Sequence, residues 1–496
     1  MSLMFYKNKL KIKKPNSKII NFDNFAENIN SDLCSENLKE AGKISYNYQN
    51  TSGTLESEIG FTELALPISD GSLETRIIRN FNDTDVKKLW HFKYFDHVYN
   101  CVADKIIFCS ADGRLSVLSV FDYDKNSYIL DIEAFGNLPV GINYCIEGED
   151  FMIFSGGSSL VAYTSRRLPI YNENCPPLLS ICKAYDNIFA ILAGDRNKLL
   201  YTPNTNPLAL SDINEKMDLT GEAGRLCSLI NFDDYLFIFR EFGITKLSKY
   251  GSADNFSISE IYQSSARIYE NTISVCGNEI IFLAQDGIYK FSGTNTEKIK
   301  LNIDKFFDGI ANNDSSACYS KGKYILACRL NFGDEREVGC ETYADGFKNN
   351  AIIILDLNSK KFSIMRGLDI SSLLSLNAGS LSTILATFNG EHSKKIGIID
   401  TSASIFDTEL NCLWQSGKFD FGEFEKLKII KKIFIKTKEN CKIILKSDIE
   451  EKIFTINAGP STQCINTKLK GKVFEVSISS DGKTHISNFK LKADIE

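Results

Sequence analysis

The stretch that decides the fold is DYLFIFREFGITKLSKYGS, residues 234–252. It begins with an acidic residue, continues through an apolar run, turns at a glycine-containing segment and resumes as a second apolar run. Short apolar and aromatic runs separated by Gly, Asp and Asn are typical of two strands joined in a hairpin. We therefore interpret this stretch as a β-hairpin.

The same pattern recurs along the chain. Its clear copies begin at Asp104, Asp150, Asp186, Asp234, Asn278 and Gly322, which are 46, 36, 48, 44 and 44 residues apart. A weaker seventh copy begins at Gly379 and is displaced by an apparent insertion at 331–350. A period in the mid-forties matches one four-stranded blade of a β-propeller, and helical spacing of apolar residues is poor here, which disfavours a solenoid of helical pairs. Residues 86–410 thus predict about seven blades, or six if the irregular copies merge.

The pattern changes at about residue 411. In KIFIKTKENCKIILKSD, residues 432–448, apolar and polar side chains alternate over two segments that are joined at 438–440. Such alternation is typical of strands with one buried face. We predict an all-β protein with an extended N-terminal arm over residues 1–60 that allows one short helix, a β-propeller over 61–410 and a small β-sandwich over 411–496.

Composition excludes several classes. The net charge of the 496 residues is −6, so no global basic field favours nucleic acid. No run approaches the roughly 18–20 apolar residues of a membrane span, and the N-terminus has no signal-peptide pattern. We expect a protein that is assembled in the cytoplasm and does not contact membranes. Its 14 cysteines include no C-x-x-C pair and lie mostly in apolar runs, which predicts buried thiols rather than disulfides or a zinc site.

One segment resembles a calcium loop. In FDYDKNSYILDIE, residues 121–133, Asp122, Asp124 and Asn126 alternate, as do the first ligands of an EF-hand. Ser127, however, stands where that loop requires glycine.

The repeat offers a second interpretation of this segment. Asp122 has the same position in its repeat as Asp356 in ILDLNSKKFSIM and Asp400 in IIDTSASIFDTE, and these later copies lack the other acidic ligands of such a loop. We predict that each of the three aspartates accepts hydrogen bonds from the backbone of a turn. A cation bound by Asp122, Asp124 and Asn126 is the alternative.

No enzymatic motif stands out. The chain has no P-loop, Rossmann glycine pattern or H-E-x-x-H, and FSGGSS at 154–159 is not a nucleophile elbow. The four histidines are scattered; His91 and His97, beside Trp90, could form a binding patch, but partial burial in a blade is favoured. Glycoside hydrolysis uses a pair of carboxylates, and the sequence does not single out such a pair among its 63 acidic residues. We predict no catalytic residues and no cofactor.

Two stretches are basic. Residues 7–14 carry five lysines and residues 426–446 carry eight. Lysines contact nucleic acid mainly through phosphates, so one interpretation is that either stretch faces DNA in a larger assembly. The favoured interpretation is that these lysines lie on exposed strand faces and edges, where they discourage aberrant pairing.

Several segments, taken in order, resemble β-propeller virion proteins of tailed bacteriophages, the family of tail-hub or packaged-DNA stabilisation proteins. They are the N-terminal lead at 21–61, the blade-like segments at 233–252 and 278–293, and the sandwich segments at 413–435 and 469–482. The resemblance implies a non-enzymatic virion protein at the head–tail junction or in the tail.

The resemblance also implies that copies of the protein form a homo-oligomeric ring below the portal, which closes the DNA exit and receives tail components. The implied partners are portal, adaptor or other tail proteins, with non-specific contact to packaged DNA. The alternatives are a carbohydrate-binding propeller that contacts the host surface and, less favoured, a glycosidase.

Overall fold

The fold is described from a computed structural model of the chain. It describes residues 16–22, 42–51, 54–57, 59–64, 66–67, 73–74, 85–96, 101–119, 132–137, 142–147, 151–156, 159–164, 170–172, 175–204, 209–211, 214–251, 255–332, 346–378 and 381–495. Within these ranges the secondary structure consists of strands and three 3-10 helices, Glu270–Thr272, Asp304–Phe307 and Gly390–His392. None of the helices described is long and apolar enough to cross a membrane. The protein is all-β.

The chain divides into two compact units. One consists of Met1–Glu58 together with Asn411–Glu496, and the other of Ile59–Leu410. The first unit, which we call the terminal unit, is therefore built from both ends of the chain. Its N-terminal strands are β1 (Asn16–Asn21), β2 (Gly42–Tyr46), β3 (Gln49–Thr51) and β4 (Thr54–Ser57). The segment predicted as an arm thus contributes strands to the terminal unit, and the part of it that allowed a short helix lies mostly outside the described residues.

The larger unit begins with three short strands and continues as a series of antiparallel sheets. The short strands are β5 (Gly60–Glu63), β6 (Leu66–Pro67) and β7 (Leu73–Glu74). The first three sheets are β8 (Val86–Asp96), β9 (Cys101–Ser110), β10 (Arg114–Ser119), β11 (Ile132–Asn137); β12 (Ile142–Glu147), β13 (Phe151–Gly156), β14 (Ser159–Thr164), β15 (Ile170–Asn172); and β16 (Leu178–Ala184), β17 (Asn187–Leu192), β18 (Lys198–Tyr201), β19 (Lys216–Asp218).

Three further sheets have the same order. They are β20 (Leu226–Phe232), β21 (Tyr235–Arg240), β22 (Gly243–Lys249), β23 (Phe256–Gln263); β24 (Ser274–Cys276), β25 (Glu279–Ala284), β26 (Gly287–Phe291), β27 (Thr296–Lys298); and β28 (Ser316–Ser320), β29 (Lys323–Cys328), β30 (Ala351–Asp356), β31 (Phe362–Arg366). In each, consecutive strands are neighbours, as in a blade whose chain runs up and down.

The last sheet of the larger unit takes a strand from the start of that unit. It contains β32 (Ile370–Ala378), β33 (Leu381–Phe388) and β34 (Ile396–Asp400), and β34 pairs with β5; the short β35 (Ser404–Ile405) and β36 (Thr408–Glu409) extend it. Several first strands of neighbouring sheets contact each other, namely β12 and β16, β16 and β20, β24 and β28, and β28 and β32. In addition, β32 contacts β8, the first strand of the first sheet. The larger unit is a β-propeller.

Tight turns explain the sequence repeat. The turns between β16 and β17, β20 and β21, and β28 and β29 each contain two residues, and both residues have positive φ. This is the type I′ hairpin turn, whose twist matches that of the flanking strands. The repeat markers Asp186, Asp234 and Gly322 are the second residues of these turns. Each of these three copies therefore begins in the turn of the first hairpin of a blade, and its two apolar runs are the second and third strands of that blade.

The propeller core lies between adjacent sheets. Phe237 and Phe239 of β21 pack with Phe282 and Phe291 of the next sheet, with ring centroids of Phe237 and Phe291 5.0 Å apart. Val86 of the first sheet belongs to the same buried cluster as residues of the last sheet. Sheets that share such a cluster depend on each other for burial.

The terminal unit is a sandwich of two sheets. Its C-terminal strands are β37 (Asn411–Ser416), β38 (Lys428–Thr437), β39 (Cys441–Ser447), β40 (Glu451–Ile456), β41 (Gln463–Gly471), β42 (Phe474–Asp481) and β43 (Thr484–Ile495). One sheet, which we call sheet A, has the order β3-β4-β43-β38-β41, with β1 also paired to β43. The other, sheet B, has the order β2-β37-β42-β39-β40. Buried side chains from both sheets form one core around Trp414.

Candidate functional site

The outer face of sheet A is the most distinctive surface of the terminal unit. Along β38, Ile430, Ile433 and Ile435 are buried, and the residues between them are partly exposed. Against β43, a bulge between Ile430 and Lys432 places two consecutive lysines, Lys431 and Lys432, at the position of one. The alternation sends these three isoleucines into the core and leaves the lysines, together with Ile429 and Phe434, on the other side.

Three strands contribute lysines to this face. Lys468 and Lys470 are exposed, and the others are partly exposed. Together they form the surface that we call the lysine face: Lys431, Lys432 and Lys436 of β38, Lys468 and Lys470 of β41, and Lys490 and Lys492 of β43.

Two carboxylates lie on the same face among the described residues. Asp494 lies 3.8 Å from Lys431, and Glu56 lies 2.7 Å from Nδ1 of His485. The other six lysines of the face form no salt bridge with a described residue. The surface is therefore strongly positive, although the chain as a whole carries a net charge of −6.

The lysines are also close to one another. Lys432 and Lys492 are register partners on the adjacent strands β38 and β43. Like charges directly opposite each other on neighbouring strands destabilise a sheet. An anion with several charges, bound across these strands, would relieve that repulsion.

Sheet B has a different charge pattern. Its exposed Lys446 is the register partner of Glu451 on one side and of Glu475 on the other. Lys452 of the same sheet lies 3.6 Å from Glu450, so these two lysines have carboxylate neighbours, as is usual on a protein surface. This contrast sets the lysine face apart from the rest of the sandwich.

The fold places only some lysines of the basic stretch 426–446 on one surface. Lys431, Lys432 and Lys436 lie on the lysine face, but Lys442 and Lys446 lie in sheet B. Lys428, contrary to the expectation of an exposed strand face, is buried; its Nζ donates to the carbonyl oxygen of Lys472 at 2.7 Å, and burial lowers its pKa. The other basic stretch, 7–14, lies outside the described residues.

Sequence reasoning missed four members of the lysine face. Lys468, Lys470, Lys490 and Lys492 lie in NTKLKG and NFKLKAD, where lysines alternate with buried Leu469 and Leu491. The K-x-K spacing was the available signal, because residues two apart on a strand share a face. Their approach to β38 depends on strand order, which spacing alone does not give.

The candidate cation residues Asp122, Asp124 and Asn126 lie outside the described residues. Among the residues that are described, no group of three or more His, Cys, Asp or Glu side chains is arranged to hold a metal ion.

The turn predicted from the related repeats is confirmed at both other positions. Oδ1 of Asp356 accepts hydrogen bonds from the backbone N–H groups of Asn358 at 3.0 Å and Ser359 at 2.8 Å. Oδ1 of Asp400 accepts one from the N–H of Ser402 at 3.1 Å. The bond from Ser359 is the largest of the causes that lower the pKa of Asp356. This position in the repeat stabilises a turn.

The histidines remain dispersed. His91 is partly buried, and its Nε2 lies 2.7 Å from Asp104, whereas the side chain of His97 is not described. His392 packs against the rings of Phe388 and Phe406 in the last sheet of the propeller. His485 belongs to the terminal unit. The described histidines therefore support no shared site.

The cysteines follow the prediction of buried thiols. Of the ten that are described, eight are buried, Cys182 is half-buried and Cys464 is exposed, and all ten are free. Burial raises the pKa of Cys227 and of Cys412 to about 12. Thiols with such pKa values are poor nucleophiles at neutral pH. They act as small apolar side chains.

Comparisons with known proteins give little guidance. No protein-family model matches the chain, and no curated protein matches it. Among solved structures, BamB from Moraxella catarrhalis is similar with a TM-score of 0.35 and 12% sequence identity, over 78% of this chain and 97% of that chain. A likeness at this level carries no argument about function.

Proposed function

We propose that the chain is a non-enzymatic structural protein of a tailed-phage particle, present as a ring at the head–tail connector or tail hub. There it helps to close the DNA exit and to attach tail components. Its partners are further copies of itself and portal, adaptor or other tail proteins. The proposal places the working protein in the virion, after assembly in the host cytoplasm.

The observation that carries the proposal is the order of its parts. The sequence segments that resemble the phage family run in the family's order, and the described residues form a propeller whose sequence lies between the two segments that build a sandwich. Each unit is made of hydrogen-bonded sheets around its own core, which suits a rigid building block. A rigid unit can join a ring without a large ordering cost on assembly.

The built-in chain ends also support a structural role. β1 pairs with β43 from Asn16 opposite Ile495 to Asn21 opposite Lys490. Ser57 of the N-terminal segment donates from Oγ to the carbonyl oxygen of Gly482 at 2.7 Å. Strands from the two ends therefore hold each other in place, which protects the terminal unit against fraying.

The test is peptide mass spectrometry of particles purified from the genome that encodes this sequence. We expect peptides from both units, in amounts relative to the portal protein that correspond to a ring of copies. A matched preparation from a deletion strain should yield particles that lack tails or lose DNA. Purified, infectious particles without any peptide of this chain would contradict the proposal.

One observation favours a second candidate, a propeller that binds carbohydrate on the host surface. Tyr250 is 65% exposed and Tyr235 is 36% exposed, and both lie at turns of the sheet β20–β23. Exposed aromatic rings are the platforms on which sugars stack. A glycan array should show binding that the Tyr235→Ala and Tyr250→Ala variants lose; an array with no binding by the intact chain would exclude this candidate.

A further inference from the structure

We propose that the lysine face binds the phosphate backbone of double-stranded nucleic acid without sequence preference. The proposal deepens the proposed function and rests on it for the identity of the duplex, which would be DNA within the particle. The binding itself is argued from the face alone.

The first argument is uncompensated charge. The lysine face carries seven lysines, and the two carboxylates beside them are Asp494 and Glu56, of which Glu56 already faces His485. Lys432, Lys436, Lys468, Lys470, Lys490 and Lys492 make no salt bridge with a described residue. Such a surface attracts polyanions by releasing their condensed counterions.

The second argument is the geometry of the sheet. Residues of one face are about 6.6 Å apart along a strand, and neighbouring strands are about 4.8 Å apart. Lysines on β41, β38 and β43 therefore form a two-dimensional array, with Lys432 and Lys492 as direct neighbours. A polyanion that spans these strands offsets a repulsion that the folded sheet otherwise bears.

The third argument is the kind of side chain. Lysine contacts phosphate as a point charge, whereas base reading usually uses the bidentate geometry of Arg, Asn or Gln. The described residues on this face include no arginine. Binding that rests on lysine and phosphate fixes no base sequence.

The fourth argument favours a duplex over other polyanions. Single strands are usually held by exposed aromatic platforms, and the described aromatic ring among these lysines, Phe434, is only half-exposed. Surfaces that bind lipid combine basic residues with a band of inserted apolar side chains. Among the described residues of this face, the exposed apolar side chains are Ile19 and the small Cys464, which do not form such a band.

The experiment measures binding of the full chain to a fluorescent 30-base-pair duplex of random sequence, by anisotropy over a series of salt concentrations. If about five phosphates are neutralised, the logarithm of the binding constant falls with the logarithm of salt concentration with a slope of about −4.5. A duplex of unrelated sequence should bind equally well.

The decisive comparison uses two matched triple variants. Lys432→Gln, Lys490→Gln and Lys492→Gln together should weaken binding at low salt at least about tenfold and reduce the slope by about 2.7, since each phosphate contact contributes about 0.9. The control is Lys418→Gln, Lys442→Gln and Lys446→Gln, which removes the same charge from exposed positions outside the lysine face. It should bind like the unchanged chain.

Lys468→Gln with Lys470→Gln is a second test on fully exposed positions, which decides the matter if the first triple variant does not fold. It should reduce the slope by about 1.8. Absence of salt-dependent binding, equal losses in the control, or tighter binding to single strands or to anionic lipid vesicles than to the duplex would overturn the proposal. If the chain is present in purified particles but does not bind the duplex, only the proposal of duplex binding is contradicted. If the chain binds the duplex but is absent from particles, only the proposed virion role is contradicted.

Discussion

At the residue scale, Asp356 links the sequence repeat to stability. Its carboxylate accepts hydrogen bonds from Ser359 and Asn358, and these bonds hold its pKa below the ordinary value of a free aspartate. Because the pKa is lowered in the folded state, the stabilisation is present above the unfolded pKa of about 3.9 and is lost as the pH falls through the folded value.

We therefore expect Asp356→Asn to lower the free energy of unfolding at pH 7 by about 1 kcal/mol, because a neutral amide oxygen accepts these bonds more weakly. The difference from the unchanged chain should shrink when the pH is lowered to 3. Urea unfolding at both pH values measures this. Asp407→Asn, at an exposed position, is the control; a loss at Asp356 that is the same at both pH values would contradict the account.

Residue patterns predicted turns and burial better than they predicted neighbours. Asp356 and Asp400 were correctly assigned to turns because a side chain and the N–H groups two or three residues later are local in the chain. The lysine face was missed as a unit because its members come from three strands, and the order of strands in a sheet is a long-range property. Lys428 is buried against expectation, and its ammonium group is satisfied by the carbonyl oxygen of Lys472.

At the element scale, alternation predicts which face of a strand is buried but not which strand lies beside it. In residues 432–448, Ile433, Ile435, Ile443 and Leu445 are buried, as the alternation indicates. The two strands, however, lie in different sheets, β38 in sheet A and β39 in sheet B. The connection at 438–440 crosses the sandwich, and nothing in its composition distinguishes it from a hairpin loop.

The strand β5 closes the last sheet of the propeller, and Gly60 is its tightest point. A Cβ at Gly60 would lie 2.5 Å from the carbonyl oxygen of Ser404, which is backbone and cannot turn aside. We expect Gly60→Ala to destabilise the propeller by about 1–3 kcal/mol, because overpacking forces a backbone shift.

The measurement for Gly60→Ala is the midpoint of thermal unfolding, compared with Gly194→Ala. At Gly194 no atom lies within 4 Å of the added Cβ, so that control should leave the midpoint nearly unchanged. Equal midpoints for the two variants would mean that β5 does not close the sheet as described.

The N-terminal segment stabilises the terminal unit through Phe22. Its ring is 2% exposed and packs against Trp414 at 5.9 Å, Phe419 at 5.8 Å and Phe489 at 5.0 Å between ring centroids. We expect Phe22→Ala to cost about 3–5 kcal/mol, the usual cost of removing a buried aromatic ring.

The two tryptophans of the chain make this measurable, since Trp90 lies in the propeller and Trp414 in the terminal unit. In a Trp90→Phe background, urea unfolding followed by fluorescence should show the loss for Phe22→Ala. Phe424→Ala, at a ring that is 66% exposed, is the control and should have little effect. A similar small effect for both would show that the segment does not belong to this core.

At the scale of the whole molecule, the structure combines a propeller with a sandwich that both chain ends complete. The period of the repeat was enough to predict the propeller, because each hairpin marks a blade locally. The pairing of β1 and β4 with β43 could not be predicted, since it joins segments that are more than 400 residues apart.

A cryo-electron microscopy map of the intact particle tests the virion role most directly. The account predicts a ring of density at the head–tail connector or tail hub in which each copy fits one propeller and one sandwich, with side-chain density that matches this sequence. A map in which other chains account for all density between the portal and the tail tip would contradict it.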